Sequence, residues 1–366
     1  MKAAAETLTL PGVAYTVHVD SSPAPAWIDG HVARRDVLVL SDENVARGHL
    51  EPVIRALGSA ARIETLVLPA GEAIKTLEGL GCVLDRLVAV GFHRDAVLVA
   101  LGGGVIGDLG GFAAACYQRG VDWIAIPTTL LAQVDAAIGG KTAVNHPRGK
   151  NLIGAFHDPL AVWASPAVLE TLPPREYRAG LAEVVKYGLG LDPVFFGWLE
   201  GAAARLRERD GKTVTEAVVR SARYKLDIVA ADRKERGRRA LLNLGHTLGH
   251  ALETALGHGA WLHGEAVAVG LVAAAELSAA RGLLPAGDVA RLRALLEALE
   301  LPVTLPGEAD GPTLGEALKL DKKIADGRLR FIGLRTLGNA EIWDDVDQAE
   351  LDAAITAVRA APDRAR

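Results

Sequence analysis

The segment Ala96-Val-Leu-Val-Ala-Leu101 carries no polar side chain and ends at three glycines. Six residues are short for a helix. Apolar residues at every position, rather than at every second one, require a strand buried on both faces. Such a strand lies inside a sheet that helices cover on each side. Three further β-like runs follow the same rhythm: Asp36-Val-Leu-Val-Leu40, Ala61-Arg-Ile-Glu-Thr-Leu-Val-Leu68 and Asp122-Trp-Ile-Ala-Ile126. Each closes on turn or helix-entry residues, and helical periodicity fills the intervals, as in Thr76 to Val90. Residues 1–165 are therefore expected to form a doubly wound, Rossmann-like α/β domain with a mostly parallel sheet.

Beyond about residue 165 the pattern changes. Helical segments run from Tyr177 to Leu189, Thr213 to Asp232, Leu241 to Leu256, Gly264 to Arg281 and Asp288 to Leu299. Pro-rich turns such as Leu172-Pro-Pro174 join them, and a short β-like pair, Leu329 to Leu334 and Ala340 to Trp343, follows near the end. Residues 166–366 are expected to form an all-α domain, with the boundary in the passage from Asp158 to Pro174. Ligands of an α/β sheet bind beyond the carboxyl ends of its strands, so the active site is expected in the cleft between the domains.

Hydrophobic residues make up 50% of the chain and aromatics 5%, so Ala, Val and Leu have to fill the core. The net charge of −5 gives no reason to expect nucleic acid. Cys82 and Cys116 sit among apolar or small residues and read as reduced core thiols rather than a disulfide. The start of the chain lacks a continuous apolar stretch, so no secretory signal is read there. Ala266 to Ala280 is interrupted by Glu276 and is too short for a bilayer. A cytoplasmic protein without a membrane partner is expected.

Several motifs carry chemistry. Gly102-Gly-Gly-Val-Ile-Gly-Asp108 fits G-x-G-x-x-G, which brings backbone N–H groups to a pyrophosphate at a helix N-terminus; a tight turn without ligand has the same look. Ser41-Asp-Glu-Asn44 serves either a ribose or plain helix capping. Between Asp135 and Asn151 a loop dense in polar groups carries Gly139-Gly-Lys-Thr142. An ATP phosphate loop needs its first glycine where Asp135 stands, so that reading fails, although Lys141 and Lys150 still suit an anion. Glu183 and Lys186 stand at i,i+3 on an apolar helix, an ion pair or a buried carboxylate in need of a partner. His246 and His250, four apart, project from one helix face, and His263 follows in a Gly-flanked segment. Imidazoles converging near a carboxylate hold a catalytic metal, and the same residues also serve as packed histidines.

In order and spacing these motifs together resemble the 3-dehydroquinate synthases. The most specific are Gly102 to Asp108, Pro127-Thr-Thr-Leu-Leu-Ala-Gln-Val-Asp135, Gly139 to Thr142 with Lys150-Asn151, Ala182-Glu-Val-Val-Lys-Tyr187, Asn243-Leu-Gly-His246 and His263-Gly-Glu265. The resemblance runs from Ser41 to Lys323 and implies a homodimer that uses NAD and Zn2+ or Co2+. It implies Glu183, His246 and His263 as metal ligands. It implies NAD contacts at Asp42 and Asn44, at Gly71, Glu72, Ala73, Ile74 and Lys75, and at Gly104, Val105, Ile106, Gly107 and Asp108. Thr128, Thr129, Lys141 and Lys150 fall in the same set, as does the turn Val168, Leu169, Glu170 and Thr171. Substrate or catalytic positions are implied at Arg119, Asp135, Lys141, Asn151, Lys186 and Lys225, and at Arg239, Asn243, His250, Lys322 and Lys323. The implied reaction converts 3-deoxy-D-arabino-heptulosonate 7-phosphate to 3-dehydroquinate and phosphate, a step of aromatic amino acid biosynthesis. One departure stands out: the family's Leu-Pro-x-x-x-Gly turn is here Leu334-Arg-Thr-Leu-Gly338. Rival readings are another sugar-phosphate cyclase making a valiolone- or deoxyinosose-type ring, a metal-dependent polyol dehydrogenase, and a dinucleotide-binding module with a degenerate site.

Overall fold

The computed structural model describes residues 5–257, 260–307, 309, 314 and 330–359. Lys322 and Lys323 lie outside the described residues. The chain divides into two compact units, Met1–Pro173 with Val214–Lys234, and Pro174–Thr213 with Glu235–Arg366.

The first unit contains strands β1 (Glu6–Leu8), β2 (Thr16–Val19), β3 (Asp36–Asp42), β4 (Arg62–Leu68), β5 (Val97–Gly102), β6 (Asp122–Pro127), β7 (Lys141–His146), β8 (Gly149–Phe156) and β9 (Ala161–Ala164). Its helices are α1 (Asp29–Val32), α2 (Glu43–Ala56), α3 (Leu77–Ala89) and α4 (Gly104–Cys116). Seven strands form one sheet in the order β1-β2-β9-β6-β5-β3-β4, parallel throughout except for β1. Successive side chains of a strand face opposite ways, and both faces are covered. Val37, Val39, Val97, Val99, Ile124 and Ile126 pack with Val53 and Leu57 on one side, while Leu40, Leu98 and Ala100 lie under Gly110 of α4 on the other. This is why the central runs are apolar at every position.

Four expectations need correction or completion. The Asp135–Asn151 stretch is not a loop: a π-helical turn, Ala132–Ala136, leads into the antiparallel hairpin of β7 and β8, with Lys141 opposite Phe156 and Val144 opposite Ile153. The passage after Asp158 holds β9, which joins the sheet between β2 and β6. Its four residues are too few to show a period. Cys82 and Cys116 are free but exposed rather than in the core. The buried stripe of α3 runs through Gly79, Leu80, Val83 and Leu87, and Cys82 falls off it. Finally, Leu241–Leu256 is not one helix, as described next.

The second unit contains α5 (Pro174–Leu191), α6 (Pro193–Arg207), α8 (His246–Leu256), α9 (His263–Ala280), α10 (Ala286–Ala298), a terminal helix Gln348–Ala357, and the hairpin β10 (Phe331–Thr336) with β11 (Asn339–Trp343). The hairpin occupies the place of the short β-like pair. Helix α7 (Gly211–Ala231) belongs to the first unit from Val214 onward. Ahead of α8 a 3₁₀ turn covers Arg238–Asn243, and Gly245 takes φ +80°, a left-handed value that stops a continuous helix. A Cβ on Gly245 would stand 2.8 Å from the Leu271 amide, so glycine is required there for space as well as conformation. The leucine spacing continues through the break, which hides it from periodicity. Among the described residues no helix is long and apolar enough to cross a membrane.

One stability prediction arises in the sheet unit. His18 on β2 is buried, stacked on Trp27 with ring centroids 3.9 Å apart. Burial, helped by the nearby His31 and opposed by Asp20, pushes its pKa from 6.5 down to about 4. The folded form of a base shifted downward binds fewer protons than the unfolded chain, so this contribution is lost as pH falls from about 6.5 to about 4. The loss reaches about 1–2 kcal/mol by pH 5, allowing for partial solvent access. His18→Phe, which keeps the stacking surface, is expected to lose less stability between pH 7 and pH 5 than the parent, read from urea midpoints. Equal losses would remove His18 from the account of acid sensitivity.

Candidate active site

In the first unit, β3 and β5 are parallel neighbours with Ser41 beside Leu101, and the Ser41 hydroxyl donates to the Leu101 carbonyl at 2.9 Å. From β3 the chain proceeds outward to β4, and from β5 it proceeds the other way to β6. Their carboxyl ends thus flank the point where the strand order reverses, the usual place for a dinucleotide in such sheets. Ser41–Asn44 and Gly102–Asp108, separate in sequence, meet at that point. Asp42 accepts N–H bonds from Asn44 (2.9 Å) and Val45 (3.1 Å), so its carboxylate caps α2. The N-cap of α4 is Gly103, and no side chain caps that end. Gly102, Gly103, Gly104 and Gly107 line a cavity there together with Asp108 and Lys141. Unshielded first-turn amides beside small residues suit a pyrophosphate.

The neighbouring segments are knitted to this turn. Thr128 N–H bonds the Gly102 carbonyl at 3.0 Å, and the Thr129 hydroxyl accepts from Ala132 N–H at 3.1 Å. Val168–Thr171 lies in a 3₁₀ turn, with the Thr171 hydroxyl 2.8 Å from His49 Nε2 of α2. Glu72–Ile74 forms another 3₁₀ turn after Gly71. The buried Lys75 that follows donates to Asp108 and to Asn151, each at 2.6 Å. Burial pushes the Asp108 carboxyl up to about 6 against the pull of Lys75. Asn145 joins the group, donating to Glu72 at 2.7 Å and accepting from Asn151 N–H at 3.0 Å. Asn151 and Arg119 both hold left-handed backbone, φ +56° and +68°. Such strain persists where surrounding structure requires it, often at functional sites. Asp135, from the π-helical turn, accepts from the buried Lys225 of α7 at 2.5 Å. Lys141 begins β7 and Lys150 is the second residue of β8.

In the second unit three elements converge. Glu183, in the middle of α5, is fully buried, and His246 and His263 are the first residues of α8 and α9. Glu183 Oε1 lies 3.5 Å from His246 Nε2 and 3.6 Å from His263 Nε2. The three ligand atoms lie within 4.8 Å of one another. Ligands about 2.1 Å from a tetrahedral ion are about 3.4 Å apart, so the set fits a zinc- or cobalt-sized cation. Lys186, one turn along α5, ion-pairs with Glu183 Oε2. Burial, reinforced by Lys186, pushes His246 down to about 3, keeping it neutral as a ligand has to be. Burial also acts downward on His263, but the carboxylates of Glu183 and Glu253 outweigh it and lift the ring to about 9. Glu183 and Glu253 therefore favour positive charge at His263.

His250 is placed differently. Its ring centroid is 5.4 Å from that of His246 and 5.9 Å from that of His263, and it groups with Glu253 and His263 rather than around Glu183. Arg239 is buried in the 3₁₀ turn, and the Asn243 amide donates to Glu235 at 3.0 Å. Glu235 has φ +56° and was not singled out in the sequence, where it sits in a mixed-charge run. In the sequence Glu265 stands out only as a member of the His263-Gly-Glu265 motif. It accepts from Leu262 N–H at 2.8 Å and takes a two-point bond from Arg175, 2.7 Å for each, which pins the first turn of α9 and hence His263. A glutamate three residues into a helix is the visible signal for such a cap.

The family model for the 3-dehydroquinate synthase N-terminal region matches residues 65–179, and that for the C-terminal region matches residues 180–324. A 3-dehydroquinate synthase of Methylococcus capsulatus is 52% identical over 333 residues, covering 90% of this chain and 92% of the relative. That of Coxiella burnetii is 49% identical over 347 residues, covering 92% and 96%. Among solved structures, 2-epi-5-epi-valiolone synthase of Streptomyces hygroscopicus with NAD+ and Zn2+ bound superposes with a TM-score of 0.87 at 31% identity, covering 96% of this chain and 99% of that one. A 2-deoxy-scyllo-inosose synthase complexed with carbaglucose-6-phosphate, NAD+ and Co2+ gives 0.84 at 26% identity, covering 97% and 100%.

Proposed function

The chain belongs to the 3-dehydroquinate synthase family, and from that premise we propose that its two units carry out the family's reaction with the residues described above. The substrate is 3-deoxy-D-arabino-heptulosonate 7-phosphate. The C5 hydroxyl is oxidised transiently, the acidified C6 proton is lost with the C7 phosphate, the C5 carbonyl is reduced again, and ring opening and aldol closure give 3-dehydroquinate. Phosphate is the only group released, so the enzyme is a carbon–oxygen lyase. The observation that carries the reading is the triangle of Glu183, His246 and His263, whose spacing suits a catalytic divalent metal.

When bound, NAD takes up and returns the C5 hydride, and the metal lowers the pKa of the C5 hydroxyl. Everything else falls to the chain. The α4 turn and Lys150 bind the dinucleotide, with Asp42 capping α2 beside Asn44. Glu183, His246 and His263 would hold the metal, and a set of three protein ligands would leave room for substrate hydroxyls. Arg119, Lys141, Asn151, Lys225, Arg239 and Asn243 bind the carboxylate, phosphate and hydroxyls of the anionic substrate, which suits their charge and donor capacity. Asp135 orients Lys225, and Lys186 balances the charge of Glu183. His250 positions the phosphate and helps proton transfer, with the departing phosphate able to serve as base. A fixed closing geometry favours the final aldol step. Family membership also favours a cytoplasmic homodimer.

Identities near 50% with 3-dehydroquinate synthases, against 31% and 26% with the valiolone and deoxyinosose enzymes, favour this substrate over the other ring types. A test uses the heptulosonate phosphate with NAD+ at catalytic concentration. Phosphate release is expected to continue for many turnovers with no net NADH. NADH growing in step with product indicates a simple dehydrogenase, and turnover only with a carboxylate-free heptulose phosphate indicates another cyclase.

A further inference from the structure

The two histidines of the metal triangle are oriented in the same manner by different partners. Each directs Nε2 at Glu183. For His246, Nδ1 lies 3.1 Å from the backbone carbonyl of Leu244. For His263, Nδ1 lies 3.0 Å from the Glu253 carboxylate. Glu253 is on α8, seven residues after His246 and so on the same helix face, and its side chain is 11% exposed. An imidazole that gives one ring nitrogen to a metal has to carry its proton on the other, and the acceptor facing that other nitrogen selects the tautomer and the ring angle.

We propose that Glu253 is a positioning residue for the metal centre: by accepting the Nδ1 proton of His263 it keeps the Nε2 lone pair of that ligand aimed at the cation beside Glu183. The assignment rests on reading Glu183, His246 and His263 as metal ligands. It explains an asymmetry in the site. His246 follows the Leu244-Gly245 turn, whose carbonyl sets its ring without any side chain. His263 begins α9 at the end of a separate connection, and α8 supplies a carboxylate for the same purpose. That carboxylate also makes the imidazole a stronger donor than a carbonyl would.

The experiment titrates Co2+ into the metal-free full-length protein against a chromophoric chelator and records the visible ligand-field spectrum. Glu253→Met fills a similar volume but offers no comparable acceptor, while Glu253→Gln keeps an acceptor oxygen and loses only the charge. Glu253→Met is expected to bind Co2+ about 10–100-fold more weakly with an altered spectrum. Glu253→Gln is expected to lose clearly less and to keep the parental spectrum, and NAD binding, measured separately, should be unchanged in both. Parental affinity and spectrum in Glu253→Met overturn the proposal, as does a second equivalent of Co2+ in the parent that vanishes in the variant, since Glu253 is then itself a ligand. Glu183→Ala separates the two levels of inference. If it abolishes Co2+ binding while Glu253→Met does not affect it, only the positioning role falls; if it leaves binding intact, the ligand set itself is wrong.

Discussion

His246→Ala is expected to yield protein without stoichiometric metal and without turnover, whereas His250→Ala keeps its metal and turns over about 10²–10⁴-fold more slowly. The two residues share a helix face four positions apart, so spacing alone would allow both to be ligands. Their surroundings differ. His246 is buried, held neutral, and 3.5 Å from Glu183, with its second nitrogen on a backbone carbonyl. His250 is an exposed residue outside the Glu183 triangle and groups with Glu253 and His263 instead. A fourth protein ligand would also tend to close the coordination sphere that a catalytic metal keeps open. Metal content and rate measured on the same two preparations decide the matter, and equal metal loss in both would make His250 a ligand.

Gly264→Ala is expected to destabilise the second unit by about 3 kcal/mol, at the upper end of ordinary overpacking, and to weaken metal binding with it. A Cβ on Gly264 would stand 1.8 Å from the carbonyl oxygen of Ala179 and 2.5 Å from its carbon. Both are backbone atoms of α5, so no side chain can turn away. Relief requires α9 to move off α5, and that displaces His263, the adjacent residue, from Glu183, one turn beyond Ala179. Gly201→Ala, in α6 with nothing within 4 Å of the added carbon, serves as the control and should be stabilising by about 0.5–1 kcal/mol. Urea unfolding of the metal-free variants gives the first quantity and Co2+ titration the second. Parental stability in Gly264→Ala would show that α5 and α9 are less closely packed than described.

The central strands β3, β5 and β6 were legible because burial on both faces leaves no polar residue to interrupt the run. Helices α5 and α7 to α10 were legible because apolar residues at helical spacing survive in the sequence, whereas α6 falls outside the helical segments expected from it. Shorter or longer-range features were not. β9 has four residues and gains its place only through β2 and β6, and the β7–β8 hairpin looks like a polar loop because Lys141, Asn145, Lys150 and Asn151 crowd it. The helix start at His246 was masked because Leu241, Leu244 and Leu248 keep their spacing across the Gly245 break.

The sequence by itself determined the elements and the residue types: which runs must be buried, where glycines admit a phosphate, and the presence of Glu183, His246, His250 and His263 in an order shared with a known family. Local periodicity reports burial, and burial is a property each segment carries along its own length. Only the tertiary structure decided that the β3 and β5 ends meet at the reversal of strand order, that three helices aim two Nε2 atoms at one buried carboxylate, and that Leu244 and Glu253 take the opposite nitrogens. Which way a ring faces depends on the acceptor across from it, and that acceptor comes from packing between elements, which spacing along the chain does not encode.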